Sequence, residues 1–210
     1  LNDVAFSFGF YQFGRLREDW TRLSQSAFGH RFMMDRVVPG GVAASLSDPM
    51  AIALGAQIRA LRPEIERLMA IVDDSASVED RLVTTGRLDP EVARAFGALG
   101  YVGRASGQAF DLRRDAPYPP YDRLTVEVPV YLDGDVAARV KVRAREIMVA
   151  FDLIEQLLTD LPEGSIRAPW PAPDAGAEGL GLVEGFRGEC LAYVRFGAGG
   201  GIARYFPRDP

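Results

Sequence analysis

Apolar residues recur at steps of three and four along much of the chain, a spacing typical of helices that bury one face. Three such stripes follow Asp3, Asp48-Pro49 and Asp135. An aspartate can accept an unpaired amide and proline tolerates the first helical position, so Asp48-Pro49 and Asp135 predict helix starts. The stripes consist of Phe6, Phe10, Phe13, Leu16, Trp20, Leu23 and Ala27; of Leu54, Ile58, Leu61, Ile65, Leu68 and Val72; and of Val136, Val140, Ile147, Phe151, Ile154, Leu158 and Leu161.

Shorter helices are predicted between the second and third stripes. Asp89-Pro90 repeats the start signal for a helix through Phe96, and Ser77 with Asp80 resembles a capping box for a helix through Val83. We interpret the aromatic stripe of the first helix as core, because large rings dominate buried area. A row of rings facing a cofactor is the alternative.

Strand-like patterns are fewer. Residues 124–128 alternate as in a short strand, and residues 184–207 predict a β-hairpin with a glycine-rich turn. Residues 165–183 are rich in proline, glycine and alanine and predict a linker. The pattern predicts one domain over 1–210, mainly α, a multi-helical bundle with a small antiparallel β-hairpin. Its helical core covers residues 1–164.

A central loop, residues 103–122, follows neither period and contains Gly, Pro, Tyr, Arg and Asp together. Two interpretations stay open. Its arginines and aspartates pair with one another, as buried arginines commonly do, or they face a partner or a cofactor. The candidate residues are Arg104, Asp111, Arg113 and Arg114.

Composition excludes several classes of function. A net charge of -5 gives no basic footprint for nucleic acid, and no apolar run approaches the roughly 20 residues that cross a bilayer. The single cysteine, Cys190, and single histidine, His30, cannot supply the ligand sets of zinc or iron-sulfur sites. We therefore expect no metal or other cofactor on this chain and a cytoplasmic location. Because the chain starts at Leu1, we expect it to be part of a longer protein.

Two further features have a structural and a functional interpretation. His30 follows the first helix, where a hydrogen-bonded structural role is the more common one and a proton carrier is the alternative. Basic residues cluster in the first half of the third long helix, as a solvated face or as a docking surface. They are Arg139, Lys141, Arg143 and Arg145.

Several motifs, taken in order, resemble the family that unites the large subunit of nickel-iron hydrogenases with the 49-kilodalton, quinone-site subunit of respiratory complex I. The matching motifs are Gly29-x-Arg31, Pro39-Gly40-Gly41-Val42, Arg104-x-Ser106-Gly107, Asp111-Leu112-Arg113, Pro117-Tyr118, Tyr121-Asp122, Val128-Pro129-Val130, Gly134-Asp135, Leu161-Pro162-x-Gly164 and Arg187-Gly188-Glu189. Residues 29–34 and 206–210 look closest to large subunits of energy-converting, membrane-bound hydrogenases of the formate hydrogenlyase and hydrogenase-4 type.

The resemblance implies a mostly helical subunit of a membrane-associated oxidoreductase complex, peripheral at the inner face of the cell membrane and attached only through partners. A small iron-sulfur subunit and other subunits are the implied partners. Asp3 matches an aspartate of the family's quinone pocket that is thought to couple proton movement to reduction. Arg31 matches an arginine near the partner's terminal iron-sulfur cluster. The complete complex is expected to use nickel-iron, iron-sulfur clusters or quinone.

The chain also departs from the family pattern. The two Cys-x-x-Cys motifs that bind nickel in hydrogenases do not occur here, and Met33 stands where the complex I members have a cluster-linked histidine. We therefore expect this segment alone not to be catalytic, and hydrogenase and quinone reductase both stay open. The alternative function is a non-catalytic structural or assembly module that retains the family fold.

Overall fold

Helices contain about half of the residues, and five short strands form two antiparallel sheets. The computed structural model describes residues 1–210. The predicted helix-rich fold is confirmed, but the strands amount to more than one hairpin, so the fold is α+β rather than mainly α. None of the helices combines the length and the apolar character needed to cross a membrane.

Seven α-helices and five strands follow one another along the chain. The helices are α1 (Ser7–Phe28), α2 (Asp48–Asp73), α3 (Ala76–Leu82), α4 (Pro90–Ala95), α5 (Gly100–Ala105), α6 (Leu112–Asp115) and α7 (Val136–Thr159). The strands are β1 (Val37–Val38), β2 (Gly41–Val42), β3 (Glu178–Gly185), β4 (Gly188–Phe196) and β5 (Ile202–Arg208). Strand β1 pairs with β2, and β4 lies between β3 and β5.

The chain divides into two compact units, of which the first contains Leu1–Arg81 and Ile154–Trp170. In this unit α1 packs against α2, and α2 continues through Pro63. The predicted buried stripe of α2 is confirmed in full. Its members are Leu54, Ile58, Leu61, Ile65, Leu68 and Val72, each at most 6% exposed.

The stripe of α1 is only partly a core. Leu16 is buried, whereas Phe10 is 45% exposed. Two residues outside the predicted stripe, Thr21 and Ser24, are buried. Their hydroxyl groups donate to backbone carbonyls one turn earlier in the helix, and these hydrogen bonds offset the cost of burying a polar group. The expectation that the whole aromatic stripe is core was therefore wrong for Phe10.

A Pro-Gly-Gly turn, residues 39–41, joins β1 to β2. Gly41 has φ 157°, and a Cβ on it would lie 2.1 Å from the carbonyl oxygen of Ile166. The backbone amide of Val42 donates to that same carbonyl at 3.0 Å. Glycine is required at position 41 because the segment around Ile166 lies directly against the turn.

The second unit contains Leu82–Leu153 and Pro171–Pro210. Two predicted helix starts are confirmed here, since Asp89 accepts the amide of Glu91 at 2.9 Å and Asp135 accepts the amide of Ala138 at 2.8 Å. Part of the core of this unit consists of Ala105, Ala138 and Val142, with Tyr101 and Tyr131 packed against them. The prediction of one domain over 1–210 stays a prediction.

The two helix starts predicted in the first unit differ in detail. Ser47, rather than Asp48, occupies the N-cap of α2, and no side chain caps that end. Helix α3 already begins at Ala76, so Ser77 lies inside the helix instead of capping it. The helices were located correctly, but their capping residues were not.

The buried face of α7 is not the predicted stripe. Of that stripe only Phe151 is buried, and Leu161 lies beyond the helix and is 40% exposed. The buried residues are Ala138, Val142, Met148, Val149, Phe151 and Leu153. Apolar residues occur on more than one side of α7, so the packing of neighbouring elements, not the period, decides which side is covered.

Three predictions about strands and loops also differ from the structure. No strand forms over residues 124–128, and the central loop contains α6 and the end of α5. Strand β3 begins at Glu178, inside the predicted linker, so the hairpin predicted over 184–207 is part of a three-stranded sheet. Three of the eight residues of β3 are glycines, so the strand has little apolar alternation, which hid it in the sequence.

Candidate functional site

A buried group of two arginines and three carboxylates lies in the second unit. We call it the arginine–carboxylate cluster, and it consists of Arg104, Asp111, Arg113, Glu146 and Glu184. Its members come from α5, α6, α7, β3 and the residue that caps α6. Four of the regular elements of this unit therefore meet through charged side chains rather than through apolar packing alone.

Helix α5 brings Arg104 into this position, where its side chain is 1% exposed. Gly103 allows the close approach, since a Cβ there would lie 2.2 Å from the carbonyl oxygen of Ala98. Gly100 has φ 56°, and a Cβ on it would lie 2.2 Å from the carbonyl oxygen of Arg187. The two glycines thus allow α5 to pack closely against neighbouring backbone segments, and this packing buries the guanidinium of Arg104.

Asp111 is the acceptor at the centre of the cluster. Its Oδ2 accepts from Nη1 of Arg104 at 3.2 Å and from Nη2 of Arg113 at 2.7 Å. Its Oδ1 accepts from the backbone amide and from Nε of Arg113, both at 3.0 Å. The same carboxylate therefore caps α6 and pairs with two guanidinium groups, which supports its burial.

Glu184 and Glu146 complete the cluster from outside the central loop. Glu184 accepts from Nη1 of Arg104 at 3.2 Å and from the backbone amide of Leu112 at 3.0 Å. Oε1 of Glu146 lies 2.6 Å from Nε of Arg104, but the N–H does not point at this oxygen. The contact is an ion pair without an aligned hydrogen bond.

The electrostatics of the cluster follow from burial and pairing. Burial acts to lower the pKa of Arg113, but its hydrogen bonds to Asp111 and the charge of that carboxylate outweigh burial and leave the pKa raised. Burial raises the pKa of Glu146, and the nearby charges of Arg104 and Arg113 only partly offset this. Burial is thus the largest influence on the pKa of Glu146.

The structure confirms the self-pairing interpretation of the central loop. Arg104, Asp111 and Arg113 come together, whereas Arg114 lies apart, 41% exposed and paired with Asp115 at 2.8 Å. The hydrogen bond from Arg114 lowers the pKa of Asp115 and raises that of Arg114. This second pair is local to α6 and does not contribute to the buried cluster.

Sequence reasoning missed Glu146 and Glu184. Glu146 lies four residues after Val142 on α7, so it continues the buried face of that helix. Glu184 follows Leu180 and Leu182 at strand spacing. In each element the carboxylate follows apolar residues on the same face. That pattern can indicate a buried functional group, but it can be recognised only when the buried face of the element is known.

The second candidate site, in the first unit, contains Arg31. Its Nη2 donates to Glu18 at 2.6 Å and to Oγ1 of Thr21 at 3.0 Å, while Nη1 donates to the other oxygen of Glu18 at 3.2 Å. Hydrogen bonds from Arg31 and then from Arg22 lower the pKa of Glu18 to about 2. A small cavity of 90 Å³ lies beside the pair, lined by Gly14, Arg17, Glu18, Thr21, Arg31 and Phe32.

The loop that carries Arg31 is held by His30. Its Nδ1 accepts the backbone amides of Phe32 at 3.1 Å and of Met34 at 3.4 Å. The hydrogen-bonded structural role of His30 is confirmed. Met33 has φ 55°, a conformation uncommon for residues other than glycine, and the apolar side chains of residues 32–34 are about half exposed.

Asp3 lies in a single turn of 3₁₀-helix before α1 and is exposed. The same turn is anchored by Arg81, which donates to the carbonyl oxygen of Val4 at 2.5 Å. Asp3 and Arg31 belong to the first unit and the arginine–carboxylate cluster to the second. The predicted site residues therefore form more than one site.

The donor set of this chain does not fit a nickel-iron or iron-sulfur centre. No three of its His, Cys, Asp and Glu side chains are arranged to hold a metal ion. Cys190 is half-buried, with its sulfur 3.9 Å from a carboxylate oxygen of Asp209. The expectation that other polypeptide holds any metal of the complex stays a proposal.

The basic residues of α7 are largely engaged within the second unit. Arg139 donates to the carbonyl oxygens of Gly86 at 2.5 Å and Gly134 at 2.9 Å, and Arg145 pairs with Glu127 at 2.8 Å. The guanidinium of Arg143 lies 5.6 Å from the centroids of two stacked rings, those of Tyr101 and Phe186. This half of α7 is therefore not a simple solvated face.

Comparison with known proteins places these residues in a wider context. Residues 3–195 match the model of the family described as respiratory-chain NADH dehydrogenase, 49 Kd subunit. The C/D subunit of NADH-quinone oxidoreductase from Phocaeicola vulgatus is 33% identical over 193 residues, which is 91% of this chain and 36% of that protein. Formate hydrogenlyase subunit 5 of Escherichia coli K12 is 32% identical over 194 residues, 92% of this chain and 34% of that one.

Two further proteins extend the comparison. The carbon monoxide-induced hydrogenase of Rhodospirillum rubrum is 31% identical over 193 residues, 91% of this chain and 54% of that one. A chain in the structure of a membrane-bound sulfane sulfur reductase, described as an archaeal respiratory membrane complex, superposes with a TM-score of 0.87. The two are 28% identical, and the match covers 99% of this chain and 59% of that chain. The chain thus spans only part of each relative.

Proposed function

The chain belongs to the family of the 49 Kd subunit of respiratory-chain NADH dehydrogenase, and we therefore propose that it is part of the large subunit of a membrane-associated oxidoreductase complex. That complex is of the hydrogenase or NADH:quinone oxidoreductase type and moves electrons between an iron-sulfur cluster and a nickel-iron or quinone site. The relatives bear the names of an NADH-quinone oxidoreductase, a formate hydrogenlyase and a hydrogenase, which supports an oxidoreductase role. This segment supplies binding and positioning, not the metal ligands.

The observation that carries the proposal is the fixed, partly exposed guanidinium of Arg31. Two hydrogen bonds to Glu18 and one to Thr21 hold it in one orientation, yet its side chain remains 41% exposed. Half-exposed apolar side chains at residues 32–34 lie next to it in the loop. An oriented cation with an apolar surround is suited to lie beside a partner's iron-sulfur cluster, where positive charge raises the reduction potential.

Asp3 is the proposed proton-coupling group of the same subunit. The residue is exposed in the turn before α1, and the first turns of α1 leave the side chains of Phe8 and Phe10 about half exposed. An exposed carboxylate in the same short stretch of chain as exposed rings supports this assignment, because quinone reduction needs a proton donor or acceptor. The proton would pass between this carboxylate and a quinone oxygen during reduction.

The experiment uses the full-length protein in its purified complex, with Arg31→Gln as the variant. We expect the midpoint potential of the partner's cluster, measured by redox titration and electron paramagnetic resonance, to fall. Arg22→Gln is the matched control, because Arg22 donates to the same carboxylate of Glu18 but is 74% exposed. An unchanged potential in Arg31→Gln with an intact complex would reject the placement of Arg31.

The alternative, a structural or assembly module, is tested on the same complex. Substitution of the four basic residues of α7 by alanine should then abolish capture of the partner, and circular dichroism of the variant checks that this chain stays folded, because these residues also make contacts within the second unit. The residues are Arg139, Lys141, Arg143 and Arg145. Assembly without any electron transfer through the complex would support the module, whereas turnover by the complex supports the proposed function.

A further inference from the structure

The charges of the arginine–carboxylate cluster do not balance. Two guanidinium groups, of Arg104 and Arg113, face three carboxyl groups, so full ionisation leaves one unit of negative charge. The adjacent pair of Arg114 and Asp115 is neutral in itself and does not change this sum. Because isolated charge is costly in a buried setting, one of the three carboxyl groups is favoured to bind a proton.

Hydrogen bonding distinguishes the three carboxyl groups. Asp111 accepts four hydrogen bonds, all from nitrogen donors, and Glu184 accepts two. Oε1 of Glu146 is buried and accepts none, although it lies 2.6 Å from Nε of Arg104. Nitrogen donors stabilise the ionised form of a carboxyl group, and Glu146 is the only one of the three with a buried oxygen that receives no such donor.

We propose that Glu146 is the carboxyl group through which this buried cluster takes up and releases a proton, while Asp111 and Glu184 stay ionised. The proton comes from water and returns to it, since the side chain of Glu146 is 14% exposed and those of Asp111 and Glu184 at most 2%. Burial as the leading influence on the pKa of Glu146 agrees with this assignment. The inference does not depend on the proposed function.

The groups around Glu146 make the exchange possible without unfolding. Arg104 faces it from α5, and Asp111 and Arg113 face it from the start of α6, while Glu184 on β3 shares Arg104 with it. The phenols of Tyr118 and Tyr121 lie near Glu184 and Arg113. Arg104 keeps its Nη1 bonds to two carboxylates when Glu146 is neutral, so only the contact to Nε changes.

The site is tested by infrared difference spectroscopy of the purified protein titrated with acid and base. We expect a carbonyl-stretch band of a protonated carboxyl group that persists at pH values where exposed carboxyl groups are ionised, and that is lost in Glu146→Gln. Glu155→Gln is the matched control on the same helix, since Glu155 is 39% exposed and pairs with Arg62. This control should retain the band.

Two outcomes of this measurement would contradict the proposal. If the wild-type protein shows no such band, the proposal is overturned whatever the variants do. If the band survives in Glu146→Gln, another carboxyl group carries the proton and the assignment to Glu146 is wrong.

Chemical unfolding at several pH values is a second, independent measurement. The wild type should lose stability relative to Glu146→Gln as pH rises, because the raised pKa makes the ionised form the less stable one.

Discussion

The guanidinium of Arg31 donates to both carboxylate oxygens of Glu18, which lies thirteen positions earlier in the chain. The pair ties the loop after α1 back to the middle of that helix. Arg22 donates to the same carboxylate from one helical turn away. Glu18 therefore sets the position of the one cation that we place next to a partner's redox centre.

This pair predicts a specific acid sensitivity. The pKa of Glu18 is lowered from 4.5 to about 2 by its hydrogen bonds to Arg31 and Arg22. A lowered pKa contributes stability that is present above 4.5 and is lost as pH falls towards 2. Unfolding by urea between these pH values should show a steeper loss for the wild type than for Glu18→Gln. Parallel pH profiles of the two proteins would contradict the pairing.

Removal of Arg104 should be far more damaging than removal of an exposed arginine. Arg104→Ala leaves Asp111 and Glu184 buried with one cation fewer, and breaking a buried ion pair typically costs about 3 to 5 kcal/mol. Arg22→Ala removes a side chain that is 74% exposed, where such pairs contribute about 1 kcal/mol or less. The free energies of unfolding of the two variants measure the difference. Equal values would show that the cluster does not stabilise the second unit.

The confirmed core of α2 gives a matched pair of truncations within one helix. Ile58 is 0% exposed and Ile52 is 71% exposed. Ile58→Ala should cost about 2 to 5 kcal/mol, because it removes buried methyl groups and leaves a cavity. Ile52→Ala should change the free energy of unfolding by about 0.5 kcal/mol or less. Similar losses in the two variants would mean that α2 buries a different face.

The turn between β1 and β2 should tolerate no side chain at position 41. Gly41→Ala places a Cβ against the carbonyl oxygen of Ile166 at a positive φ, and we expect a loss of about 1 to 3 kcal/mol. Gly14→Ala, in α1, meets no atom within 4 Å and should stabilise the protein by about 0.5 to 1 kcal/mol. Thermal melts of the two variants should shift in opposite directions. A shift in the same direction would contradict the close approach at Gly41.

Sequence reasoning succeeded where a local pattern was sufficient. The stripe of α2 and the helix starts at Asp89 and Asp135 each depend on residues a few positions apart. The mutual pairing of Arg104, Asp111 and Arg113 was one of two interpretations left open by the sequence, and it could be considered there because the three residues lie within ten positions of one another. Local hydrogen bonds and helical spacing fix such features before any distant segment packs.

Other features depended on partners that are distant in the sequence. Which side of α7 is buried, and hence the inward position of Glu146, follows from the elements that pack on that helix. Glu184 reaches Arg104 across 80 positions, carried by a strand whose glycines concealed it. The sequence by itself determined the helical framework, the family and the chemistry of the central loop. Only the tertiary structure decided which carboxyl groups share the buried arginines, because burial and charge pairing are set by contacts between distant segments.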